Sequence, residues 1–148
     1  SELVSINIED LEFVSEGVKI FVKKSKTDQI GEGMTKAIPY FLNEDICPVK
    51  SLKLHLNQNN INDGKIFNIS DKSVALKIKK YAELSGLDQK KYSGHSLRSG
   101  FATSTAESGA EERSIMAMTG HKSTQMVRRY IKEADLFKNN ALNKLTNK

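Results

Sequence analysis

The chain has 148 residues, 38% of them hydrophobic and 28% charged, with a formal net charge of +5. That is enough apolar material for one ordinary core and too much for wholesale disorder, and the basic surplus suits an anionic partner, nucleic acid first, although a solvated surface carries the same charge. One cysteine, Cys47, excludes an intrachain disulfide framework. No apolar run spans a membrane and no secretory signal opens the chain, so a soluble, cytoplasmic protein is expected.

In chain order, Leu3 and Ile6 have helical spacing and suggest the tail of a helix begun upstream. Leu11–Phe13 alternates, Glu16-Gly17 signals a turn, and Val18, Ile20 and Val22 alternate with Lys19, Phe21 and Lys23 as in a strand. A third short strand is expected over Thr35–Tyr40, after a polar loop with Gly31 and Gly33. Together these predict a small antiparallel sheet, with Lys23, Lys24 and Lys26 around its second turn. Pro48 suits the first position of a helix, where a missing N–H costs nothing, and Val49, Leu52 and Leu56 give that helix an apolar face.

Ser70 or Asp71 can cap a second helix, with Val74, Ile78, Tyr81 and Ala82 on one side, Lys77, Lys79 and Lys80 on the other, and Gly86 as its stop. Ser93 can cap the next, ended by Gly109; Leu97–Phe101 in it and Ile115–Met118 in the short helix that follows fit buried faces. After Gly120 the chain turns into His121, and Ser123 or Thr124 caps a helix expected to end near Tyr130. Leu136, Phe137, Leu142 and Leu145 then suit a separate amphipathic helix. The fold class is mainly α (α+β): helical, with a small antiparallel three-stranded sheet near the N-terminus.

The residues that carry chemistry gather between Ser93 and Tyr130. His95 and Arg98 lie three apart on a helix and so share a face. A planar guanidinium offers two parallel charge-assisted bonds to phosphate oxygens. His121 can donate to the same phosphate or simply close a turn. Tyr130 can supply an oxygen nucleophile if cationic neighbours favour its phenolate, or be an ordinary half-buried tyrosine. Lys26 in K-K-S-K-T can protonate a leaving oxygen or serve as a solubilising edge charge; composition does not separate it from Lys24. The three histidines and Cys47 lack metal-ligand spacing, so neither metal nor other cofactor is expected.

In combination, H-S-L-R (His95–Arg98), T-G-H (Thr119–His121) and the distal Tyr130 resemble the tyrosine recombinase (phage integrase) family. The likeness extends over nearly the whole chain: S-E-L looks like the segment after that family's first catalytic arginine, K-S-K-T like the hairpin with its lysine, and C-P-V-K-S-L and I-F-N-I-S like its middle segments. It departs from the family's usual F-A-T-H-L-L-E-A-G at F-A-T-S-T-A-E-S-G, where Ser104 and Thr105 replace a bulkier pair.

The resemblance implies double-stranded DNA as partner and cleavage through a 3′-phosphotyrosyl link. Tyr130 would be the nucleophile and Lys26 the donor to the leaving 5′-oxygen. Arg98, His95 and His121 would hold the phosphate, with His95 taking the tyrosine proton. It also implies a tetramer on DNA, a monomer without it, no membrane, and a C-terminal tail that packs on a neighbouring subunit or on its own domain. Residues 1–148 are then expected to be a catalytic-domain piece, without the N-terminal DNA-clamping domain or the first arginine, that binds DNA weakly and cleaves poorly. Two other functions stay open: a catalytically silent DNA-binding module on the same scaffold, and a type IB topoisomerase-like relaxing enzyme.

Overall fold

Alternating side chains pair into the first strands of the chain. A computed structural model describes residues 2–23, 33–120, 123–138 and 142–143. Strands β1 (Leu11–Val14), β2 (Gly17–Val22) and β3 (Met34–Pro39) form an antiparallel sheet in the order β1-β2-β3. Phe13 pairs with Val18, Val18 with Ile38 and Val22 with Met34. The period of two puts Val18 and Val22 inside, while Lys19, Phe21 and Lys23 face outward. The first turn is Ser15–Glu16, and Gly17 already belongs to β2. A Cβ on Gly17 would lie 2.1 Å from the Ile38 carbonyl oxygen, so this close strand approach admits only glycine.

Helix α1 (Pro48–Gln58) starts with Pro48 as expected and buries Val49 and Leu56. Val18, Cys47 and Val49 form a core, flanked by Leu11, Ile20, Ile38, Tyr40 and Leu52. The opening residues are not the end of an α-helix. Glu2–Ser5 is a 3-10 helix, and beyond it the Ile8 amide donates to the Gly64 carbonyl (2.8 Å) and the Ile66 amide to the Ile6 carbonyl (3.1 Å). His55 has a structural place there. Its Nε2 faces the Ile66 carbonyl at 3.0 Å, its Nδ1 lies 3.2 Å from the Asn59 amide nitrogen, and its ring stacks on Phe67. Because a carbonyl can only accept, Nε2 carries the proton.

The chain divides into two compact units, Ser1–Val74 and Ala75–Lys148, with the boundary inside α2 (Asp71–Leu84). Ser70 caps α2 by accepting from the Ser73 amide at 3.1 Å. Ala82 is buried, but Tyr81, expected on the apolar side, is exposed. In the second unit α3 (Gly94–Glu107), α4 (Glu112–Thr119) and α5 (Thr124–Lys138) pack on one another. Ser93 and Ser96 form a reciprocal cap at the start of α3, and Gly120, in the left-handed conformation (φ 70°), ends α4. The core is Ala102, Ala106, Ile115 and Val127, with Ala110, Met116, Tyr130 and Ile131 against it.

Two expectations fail in this unit. Leu97, Phe101 and Met118 are exposed, because α3 approaches its neighbours through its small residues. Helix α5 does not stop near Tyr130 but continues to Lys138, taking in Leu136. Nothing in that polar run breaks a helix, and the Lys138 ammonium ties its end to the Glu107 carbonyl at the end of α3. Among the described residues no helix is long and apolar enough to cross a membrane.

Candidate active site

The cap at Ser93 fixes the first turns of α3, and these display His95 and Arg98 on the surface. Arg98 borders a pocket of about 190 Å³ with Phe101 of its own helix and Met118 and Thr119 of α4. Thr119 is buried, its hydroxyl donating to the Ile115 carbonyl at 2.7 Å, and it stands two residues before His121 in the sequence. The pocket thus joins the guanidinium helix to the helix that leads into the second histidine.

Tyr130 lies in the middle of α5, one turn after the fully buried Val127, with its ring against the same core. Its hydroxyl donates to Ser99 Oγ at 3.2 Å. Ser99 follows Arg98 directly and comes one helical turn after His95, so the phenol rests on the part of α3 that carries His95 and Arg98. The structure therefore groups Tyr130, Arg98 and His95 within one unit. His121 lies outside the described residues, as do Lys24 and Lys26.

Ser99 gave no signal in the sequence beyond its i+4 spacing from His95, since its contact comes from a residue 31 positions away. The arginines beside the tyrosine are engaged: Arg128 Nε meets Glu112 at 3.0 Å and Arg129 Nε meets Glu133 at 3.1 Å. Both pairs are exposed, where such contacts contribute little.

In the first unit a second cluster surrounds Asp10, whose side chain is only 4% exposed. Lys23 Nζ lies 2.7 Å from Asp10 Oδ1, and the Asn7 amide donates to Oδ2 at 3.0 Å. The hydrogen bond from Lys23, then that from the Asn7 amide, hold this carboxyl below the ordinary carboxylate range. The sequence signal was the spacing Asn7-x-x-Asp10, a capping box around the 3-10 turn Ile8–Asp10. Among the described residues no group of three or more His, Cys, Asp or Glu side chains is placed to hold a metal.

The sequence model of the phage integrase family matches residues 1–136. The chain is 48% identical over 160 aligned positions to an integrase/recombinase XerD homolog of Selenomonas ruminantium, covering 100% of this chain and 47% of the relative. It is 33% identical to tyrosine recombinase XerC of Syntrophus aciditrophicus, over 88% of this chain and 43% of that protein. Identity to a tyrosine recombinase of Pseudothermotoga lettingae is 30%, over 98% and 48%. The chain thus spans about half the length of these curated relatives, at 47%, 43% and 48%. No solved structure matches it.

Proposed function

Since the chain belongs to the phage integrase family, we propose that it is the catalytic part of a site-specific DNA recombinase that cuts and rejoins strands through Tyr130. The observation that carries this reading is the phenol of Tyr130 lying against Ser99, on the helix that presents His95 and Arg98. That placement supports a phosphodiester held by the guanidinium while an oxygen nucleophile swings in from α5.

In the proposed reaction Tyr130 Oη attacks the scissile phosphorus and His95 takes the phenolic proton. Arg98 and His121 hold the non-bridging oxygens, where a preorganised cation stabilises developing charge without reorganising. The bond from phosphorus to O5′ breaks, Lys26 delivers a proton to the departing oxygen, and the product is a 3′-phosphotyrosyl link with a free 5′-hydroxyl. A 5′-hydroxyl from a second duplex then attacks the same phosphorus and returns the phenol. One phosphoester replaces another at each step, so the balance requires no nucleotide cofactor.

Double-stranded DNA is the proposed substrate, consistent with the net charge of +5. We also assign the working form as a tetramer on DNA and a cytoplasmic setting.

A nicked suicide duplex tests the reading, because loss of the short 5′ fragment traps the covalent complex. Full-length protein should yield an adduct that survives denaturation, and Tyr130→Phe should yield none. An adduct of parental yield with Tyr130→Phe refutes the assignment. A protein that binds the duplex but never forms the adduct is the silent module, and relaxed circles without recombinant junctions mark a topoisomerase-like enzyme.

A further inference from the structure

We propose that Ser99 is a latch on the nucleophile: by accepting the hydrogen bond of the Tyr130 phenol it stabilises the unreacted enzyme and slows cleavage, while rejoining is unaffected. The inference rests on the reading above, in which Tyr130 attacks phosphorus and gives its proton to His95. Ser99, Tyr130 and His95 all belong to the second unit.

The latch is built by the face of α3 that meets α5. Positions 95, 99, 102 and 106 follow one another at four, three and four residues, so they line one stripe of the helix. Ala102 and Ala106 are the buried part of that stripe, and Tyr130 packs against their core. Ser99 is half-buried where the stripe reaches the surface, and His95 is exposed one turn nearer the helix start. A small side chain at 99 leaves room for the phenol, and its oxygen gives the hydroxyl a partner at 3.2 Å. Alanine would leave the same room and offer no partner.

The direction of the bond decides which state it favours. Tyr130 donates, so the bond uses the proton that attack must pass to His95. In the covalent adduct the same oxygen is an ester oxygen with no proton to give, and the bond is gone. An interaction made only in the ground state raises the barrier out of that state, and its removal accelerates that step alone. The bond is also weak enough to open. Both partners are neutral, and 3.2 Å is longer than the usual separation of about 2.7–2.8 Å between hydroxyl oxygens.

The test measures both directions of the reaction with the full-length protein. Adduct formation is followed in single turnover on the nicked suicide duplex. Rejoining is followed on the isolated adduct, after addition of an oligonucleotide whose 5′-hydroxyl displaces Tyr130 from phosphorus. Ser99→Ala should speed adduct formation by about 2- to 10-fold, the equivalent of about 0.4–1.4 kcal/mol for one neutral hydrogen bond. Rejoining by the same variant should stay within about twofold of parent, because the phenol departs from a state that lacks the bond. Ser99→Thr keeps the hydroxyl and should cleave within about twofold of parent.

Cleavage by Ser99→Ala at or below the parental rate overturns the latch, and a slower rate would make Ser99 a donor to the developing phenolate. Equal acceleration of cleavage and rejoining overturns it too, since a general change in α3 acts on both directions. So does a Ser99→Thr variant as fast as Ser99→Ala, for the hydroxyl would then be irrelevant. Tyr130→Phe separates the two possible failures. If it forms the adduct, the reading falls and the latch with it; if it forms none while Ser99→Ala is no faster, the latch alone is refuted.

Discussion

Arg98 is exposed on α3, and in the proposed reaction it is the phosphate that distinguishes arginine from lysine there. A guanidinium grips two phosphate oxygens in one plane, and an ammonium cannot. Arg98→Ala should therefore lower single-turnover cleavage by about 10²–10³-fold, and Arg98→Lys should recover only a small part of it. DNA affinity measured by fluorescence anisotropy should change much less than the rate; full recovery with lysine would mean that charge alone matters. Asp10 behaves differently because it is a structural carboxylate. Its folded pKa is depressed below the unfolded value of about 3.9, so its contribution is complete above that value. The contribution is lost as pH falls through the lowered folded pKa. Asp10→Asn should cost about 1–3 kcal/mol at neutral pH, with a gap from parent in urea midpoint that narrows below about pH 4. A gap that stays constant to pH 2 would show that the carboxylate charge does not matter.

At the scale of elements, α3 shows which sequence signals are reliable and which are not. Ser93, Ser70, Pro48, Gly86 and Gly120 mark helix ends by local chemistry, a side-chain acceptor, a missing N–H or a positive φ, and each does so where the sequence placed it. The buried face of α3 was misread because periodicity weighs size, and Leu97 and Phe101 are the largest apolar residues there. Close approach of α3 to α5 instead selects Ala102 and Ala106, 0% and 5% exposed. The length of α5 was misread because Lys132, Glu133 and Asp135 look like a polar gap between Ile131 and Leu136, although nothing there breaks a helix. Contacts between distant residues, such as Tyr130 with Ser99, leave no local pattern at all. Ala102→Leu should therefore destabilise the protein by about 1–3 kcal/mol through overpacking and reduce adduct yield by displacing α5. Leu97→Ala should change stability by only about 0.5 kcal/mol. Chemical denaturation of the two variants measures both, and a well-tolerated Ala102→Leu would show that α3 and α5 have room between them.

For the molecule as a whole, each of the two units has its own small core: Val18, Cys47 and Val49 in one; Ala102, Ala106, Ile115 and Val127 in the other. The positive charge belongs to this scale too, because counterion release depends on the sum of phosphate contacts. DNA affinity should fall steeply between about 50 and 200 mM salt, with a log–log slope near −0.9 for each phosphate neutralised. Lys77, Lys79 and Lys80, exposed along α2, are candidates for that sum. A salt-independent affinity would remove the electrostatic basis for DNA as the partner.

The central claim is that one phenol of the four in this chain becomes joined to DNA. Mass spectrometry of the trapped adduct, after digestion of protein and DNA, measures this directly. The account expects the nucleotide phosphoryl mass on the peptide containing Tyr130 and on no other. The same mass on a peptide containing Tyr40, Tyr81 or Tyr92, with the Tyr130 peptide unmodified, would contradict it.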